Sequence, residues 1–159
     1  MIEWLLDKGL QLIGFAVKKG HKNYLWQPDS ALRNTKKCTV IDNYPKTIAM
    51  VNGDFSSDYI SGAEAFAQAV RFFILTKRRT YPIYSDDYGI EEADTIFEEK
   101  NVVEFQRQCR NIALHLMEYF DEWIEEIYRI HRKKNELTIE LKVSGKADTL
   151  AIKIESLNK

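Results

Sequence analysis

The chain is predicted to fold as an α+β protein, with two main helices packed on a small C-terminal antiparallel sheet and an N-terminal helical arm in front. Three observations predict this. Phe105, Cys109, Ile112, Leu116 and Phe120 recur at steps of four and three, which is the apolar stripe of a helix from about Val102 to Tyr119. Ser61-Gly-Ala-Glu64 reads as a capping box, and Phe66, Ala69, Val70 and Phe73 follow it at helical spacing. Near the C-terminus, Leu137, Ile139, Leu141 and Val143, then Leu150, Ile152 and Ile154, alternate with polar or small residues. They read as two half-buried strands joined at Ser144-Gly-Lys-Ala-Asp148.

In chain order, residues 1–20 carry Trp4, Leu5, Leu6, Leu10, Leu12, Ile13, Phe15 and Val17 between polar residues, so they read as an amphipathic helix. Gly9 and Gly14 weaken it by about 1 kcal/mol each relative to alanine. Its modest charge favours docking on the body or on a partner over a membrane surface. Residues 21–46 read as irregular, with one short strand at Cys38-Thr-Val-Ile41. Residues 1–46 are thus an arm and 47–159 the body. Lys46–Val51 is a second strand candidate, and Asn52-Gly53 after it signals a tight turn.

The capped helix runs to about Leu75. Ile90–Phe97 reads as a short acidic turn or two of helix. Cys109 falls on the buried stripe of the long helix and reads as a small core residue. Residues 121–131 fit two patterns. Trp123, Ile124, Ile127 and Ile130 suit a continuing helix, whereas Ile124, Tyr128 and Ile130 suit a strand. The terminal hairpin is marginal alone and calls for a third strand, from this chain or another.

Between the two helices lies Thr76-Lys-Arg-Arg-Thr-Tyr-Pro-Ile-Tyr-Ser-Asp-Asp-Tyr-Gly89. Pro82 lacks a backbone donor and argues against a central strand; Gly89 suits a turn with positive φ. Arg78, Tyr81, Tyr84 and Tyr88 are of the residue types that dominate protein–protein hot spots. The stretch is either a packed connector with half-buried tyrosines or an outward contact surface.

Composition narrows the function. A chain of 159 residues with a formal net charge of −1 generates no global field for nucleic acid. The basic clusters Lys77-Arg78-Arg79 and Arg132-Lys133-Lys134 are matched by acidic ones at 91–99 and 118–126, which suits steering between proteins. Cys38 and Cys109 form no disulfide framework and point to a reducing compartment. No stretch has the ~20 apolar residues of a membrane span, and residues 1–8 do not resemble a secretory leader. The expectation is a soluble protein made in the cytoplasm, with no nucleic-acid or membrane partner. His21, His115 and His131 are scattered, and no metal-ligand spacing or phosphate-cradling glycine loop occurs, so neither metal nor cofactor is expected. Glycoside hydrolysis would need two carboxylates across a cleft. The candidates Asp86, Asp87, Glu91 and Glu92 flank one turn and read as a solvated acidic cap.

Part of the chain resembles a known family. Phe55, Ile60-Ser-Gly62, Glu64-Ala65 and Gln68-Ala-Val70, then Leu75-Thr76, Arg78, Tyr81-Pro-Ile-Tyr-Ser85 and Tyr88-Gly-Ile-Glu91, are similar to the baseplate wedge proteins of contractile-tailed phages and phage-tail-like particles. That family often carries a lysozyme-like or GPW-type label. The resemblance covers about residues 47–157; residues 1–46 match nothing in it. It implies a non-catalytic structural subunit of the virion tail baseplate. Other wedge subunits would be bound through Arg78, Arg79, Tyr81, Pro82, Tyr84 and Tyr88. The tail sheath protein would be templated by strand pairing at Leu150, Ile152 and Ile154. Tail tube or hub proteins are further neighbours the resemblance implies, and the family label leaves a cell-wall-degrading tail enzyme as the alternative. Lys77 stands where related connectors often carry a glutamate, so the acid of any Glu–Arg pair would come from the partner. An open terminal strand suits β-augmentation; the alternative is an edge blunted by Lys142, Lys146 and Lys153.

Overall fold

The computed structural model describes residues 23–157. The expected N-terminal helix, residues 1–20, lies outside the described residues. The architecture is α+β, with two α-helices and antiparallel sheets. The sheet is larger and more central than the small C-terminal sheet expected. It has five strands: β1 (Asn23–Trp26), β2 (Leu32–Arg33), β5 (Ile124–Lys133), β6 (Glu136–Val143) and β7 (Leu150–Glu155). Its order is β1-β5-β6-β7, and β2 pairs with β5 beside β1. Asn23 faces Lys133 and Leu32 faces Ile127, so β1 and β2 are two pieces of one interrupted edge. Both lie before residue 46, in the stretch expected to be irregular.

The third strand required by the terminal hairpin comes from this chain. It is β5, in the region that fitted two patterns. The burial of Ile124, Ile127 and Ile130 every third residue imitates a helix. The spacing arises from two register shifts against β6. Ile124 and Glu126 face Val143 and Lys142, while Ile127 and Arg129 face Leu141 and Glu140. Each shift inserts one extra residue in β5, a β-bulge, and so carries the apolar set back to the same face.

A second sheet is the hairpin of β3 (Thr47–Val51) and β4 (Asp54–Ile60). Asn52 (φ 53°) and Gly53 (φ 87°) make its turn, as the Asn-Gly pair predicts. The strand expected at Cys38–Ile41 does not form; Ile41–Asn43 is instead a 3-10 turn. The amides of Thr39 and Ile41 donate to Glu122 O (2.6 Å) and Ser144 O (2.8 Å), so this backbone is satisfied at the end of the main sheet without a ladder.

Helix α1 (Gly62–Leu75) starts after Ser61 as expected, although the Ser61 hydroxyl makes no cap hydrogen bond. Helix α2 (Val102–Tyr119) has the expected bounds and is capped by Asn101, which accepts from Val103 N and Glu104 N. Between them Glu91–Asp94 is a short 3-10 turn. Helix α2 lies along β1 and β5, and α1 lies along β7. The core joins Phe66, Phe73, Phe105, Cys109, Ile112 and Leu116 of the helices to Ile127, Ile130, Ile139, Leu141, Ile152 and Ile154 of the sheet. Cross-strand ion pairs, Arg129–Glu140 (2.5 Å) and Lys142–Glu125 (2.8 Å), tie β5 to β6. Arg132 is buried; it donates to Ile96 O (2.7 Å) and Glu99 O and stacks on Tyr24 and Phe105.

Candidate partner-binding surfaces

The connector from Thr76 to Gly89 is a loop closed at its base. Ile90 N donates to Thr76 O (3.0 Å) and Arg78 N donates to Ile90 O (3.1 Å). Gly89 makes this closure possible. Its φ is 89°, and a Cβ there would lie 2.4 Å from Thr76 O. Inside the loop, Tyr84 N donates to Tyr81 O (3.1 Å), which places Pro82 at the second position of a tight turn, where its fixed φ fits.

A run of rings joins this loop to the core. Tyr81 meets Tyr84 edge-on at 6.3 Å, and Tyr84 stacks on Tyr88 at 4.4 Å. Tyr88 packs edge-on against Phe73 (5.4 Å) and Tyr119 (5.5 Å). Exposure rises outward: Tyr88 is half-buried, Tyr84 is 43% exposed, Tyr81 54% and Ile83 85%. Burial, and then the neighbouring Tyr84 and Tyr119, push the Tyr88 phenol up to about 12. The stretch is therefore both a packed connector at its base and an exposed apolar surface at its tip.

The two arginines divide. Arg78 is half-buried and turned inward. Its Nη2 donates to Asp87 O (3.0 Å), its Nη1 lies 3.5 Å from His115 Nε2 on α2, and its Nε is buried without a hydrogen bond. Arg79 is exposed, with φ 59°. Lys77 pairs with Asp94 at 2.5 Å. Of the three basic residues, Arg79 faces solvent without an ion pair among the described residues, while Arg78 holds the loop onto α2.

At the other candidate surface, Ile152 and Ile154 are buried, and Leu150 packs against the core. Their side chains hold β7 down; they are not offered to a neighbour. What β7 offers is backbone. Ser156 N donates to Asn135 O (3.0 Å), and Leu137 faces Ile154 in the register. Alternation in an antiparallel pair then turns the amides and carbonyls of Ala151, Lys153 and Glu155 away from β6. Among the described residues no strand pairs with that edge. Arg71 Nε donates to Lys153 O at 3.0 Å and covers one carbonyl. The three lysines expected to guard the edge are all in ion pairs: Lys142 with Glu125, Lys146 with Asp42 and Lys153 with Glu136.

The carboxylates weighed for glycoside hydrolysis do not converge. Asp86, Asp87 and Glu91 are exposed, and Glu92 is buried, accepting from Asn111 Nδ2 at 3.0 Å. A hydrogen bond from Ser85, its own backbone amide and the charge of Arg78 hold the Asp87 carboxyl below its usual value, opposite to what a general acid needs. A hollow of about 660 Å³ is lined by Tyr24, Phe97, Glu98, Lys100, Arg132, Lys134 and Asn135; Glu98 is its one carboxylate, and none of the four candidates lines it. Among the described residues there is no cluster of three or more His, Cys, Asp or Glu that could hold a metal ion, and no helix long and apolar enough to cross a membrane. Burial raises the Cys109 thiol well above its usual value, as fits a core residue.

Two residues of these surfaces carry little signal in the sequence: Ile83, the most exposed of the connector's large apolar residues, and Gln68. Gln68 accepts from Met50 N and donates to Ile48 O, both at 2.9 Å, and so anchors the β3–β4 hairpin to α1. Only the position of Gln68 on the core face of a helix hinted at a buried amide. Comparison of the chain with protein-family models, with curated proteins and with solved structures finds no match.

Proposed function

We propose that the protein is a non-catalytic assembly subunit and that its assembly is the baseplate of a contractile tail. In this reading the connector tip meets other wedge subunits, and the free edge of β7 adds a strand from the tail sheath protein. Tail tube or hub proteins would be further neighbours. One observation carries the reading most: Tyr81, Ile83 and Tyr84 stand exposed on a loop whose base is tied to both helices. Large apolar groups held out on a rigid support fit a preorganised contact better than a mobile linker. The open backbone of β7 suits strand addition. The connector residues quoted for the wedge-protein resemblance are those that form this tip and its base.

The test is to tag the protein at its N-terminus in its native producer, purify it gently and view the eluate by negative-stain electron microscopy. Contractile tails or baseplate stars in the eluate are expected. A free monomer recovered while tails are being made would overturn the baseplate reading, and a cell-wall hydrolysis assay would then follow.

A further inference from the structure

We propose that the hollow between the β5–β6 turn and the start of α2 binds a small organic phosphate. Tyr24 comes to it from β1, Phe97 and Lys100 from the segment before the Asn101 cap, and Arg132 and Lys134 from the end of β5 and the turn after it. The connector meets the other end of α2, at His115 and Tyr119. The site is therefore separate from the surfaces of the baseplate reading and does not depend on it. A volume of about 660 Å³ lies in the range of small-molecule sites.

The hollow holds charge that the fold leaves unanswered. Arg132 is only 5% exposed. Its guanidinium meets two carbonyls and two ring faces, and no carboxylate among the described residues. Burial lowers its proton affinity, against Tyr24, Cys109 and Glu99, which raise it. A guanidinium stays charged all the same. A buried cation costs free energy until an anion joins it. Lys100 and Lys134 also belong to no ion pair among the described residues. Glu98 is the one acid of the lining, and neighbouring Glu99 is turned to Asn101 N (2.8 Å). Three cations against one carboxylate leave two positive charges in the lining, which match a phosphate dianion.

The turn and the rings refine the ligand. Lys133 faces Glu136, so Lys134 and Asn135 make a two-residue turn, and Lys134 has φ 56°. Glycine takes such a position without strain and lysine does not. The lysine adds a charge at the rim that the turn alone does not call for. Tyr24 and Phe97 supply an apolar wall, and the Tyr24 hydroxyl donates to Lys100 O (2.7 Å), which fixes the ring. Inorganic phosphate would leave that wall idle, whereas a phosphate ester on an apolar body uses it.

The test is calorimetric titration of the full chain with phenyl phosphate, and separately with inorganic phosphate, at one ionic strength. Saturable binding of phenyl phosphate is expected, with inorganic phosphate about tenfold weaker for want of the ring. Lys134→Gly and Lys100→Gln should each weaken phenyl phosphate about tenfold, the loss of one charged contact. Both side chains are exposed, so an unchanged circular dichroism spectrum should accompany the loss. Lys133→Gln removes the same charge next to the hollow but outside its lining, and should bind as wild type does. No saturation by ~10 mM phenyl phosphate would overturn the proposal. So would Lys134 and Lys100 variants that bind as wild type does, or a Lys133 variant weakened as much as they are. Equal affinity for the two titrants would overturn it as well, because the apolar wall would then take no part.

Discussion

Gly89 joins the connector to the body through a single backbone requirement. Its positive φ and the nearness of Thr76 O leave no room for a side chain. Gly89→Ala is expected to cost about 2 kcal/mol or more, because strain and a backbone clash act together. Urea unfolding checks this, and a variant as stable as wild type would contradict the closure described. Tyr88 acts through its proton. Its phenol is held near 12 against an ordinary value of 10. Between those values the folded protein keeps a proton that the unfolded chain has released, so stability falls as pH rises through that window. Tyr88→Phe should flatten the slope of the unfolding midpoint between about pH 10 and 12. An unchanged slope would place the responsible group elsewhere. Arg78 changes meaning in the structure. Because its head is turned to Asp87 O and His115, Arg78→Glu would disturb the connector itself. Arg79 and Ile83 probe the surface more cleanly.

At the scale of elements, β7 separates two roles that one sequence pattern merges. Its even-numbered residues face the core and its odd-numbered backbone faces out. Removing residues 147–159 would strip Ile152 and Ile154 from the core, so such a truncation tests folding and not strand addition. Proline makes the distinction. Ala151→Pro removes only an outward N–H and should alter stability by about 1 kcal/mol or less, while blocking strand addition. Ile152→Pro removes a donor directed at β6 and should cost about 3 kcal/mol or more. Thermal melts of the two variants check the contrast. Equal damage from both would mean that the edge is not open as described. The two bulges of β5 matter in the same way. A strand that skips one residue twice can bury every third side chain, and here that keeps Ile124, Ile127 and Ile130 in one core.

At the scale of the whole molecule, exposed apolar residues gather on two projections, the connector tip and the β3–β4 hairpin. Both projections are anchored from within, the first by Tyr88, Gly89 and Arg78 and the second by Gln68. A change at a tip should therefore spare the fold. Ile83→Asp is expected to keep the wild-type melting temperature within a degree or two, as is usual for surface changes, yet to lower incorporation into tail particles by about tenfold or more. Quantifying the protein in purified particles checks this. Particles carrying the variant at the wild-type level would remove the connector tip from the proposed wedge contact.

Elements whose signal is local were legible in the order of the amino acids. The stripe from Phe105 to Phe120 placed α2 at its observed bounds, and the alternations from Leu137 and from Leu150 placed β6 and β7. Asn52-Gly53 placed the turn between β3 and β4. In each case periodicity or turn chemistry depends only on neighbours a few residues away. Tertiary structure decided what depends on distant partners. The strands β1 and β2 are short and exist because β5 runs beside them. The stretch Cys38–Ile41 had the composition of a strand, but its amides found carbonyls at Glu122 and Ser144 instead of a ladder. In β5 the helix-like spacing was an outcome of bulges that only the register against β6 defines. The same held for the candidate site. That residues 76–89 mix basic and aromatic groups was legible in the chain. Only packing against α1 and α2 decided that Arg78 turns in and Ile83 turns out, because a side chain's direction is set by what surrounds it and not by the residues on either side.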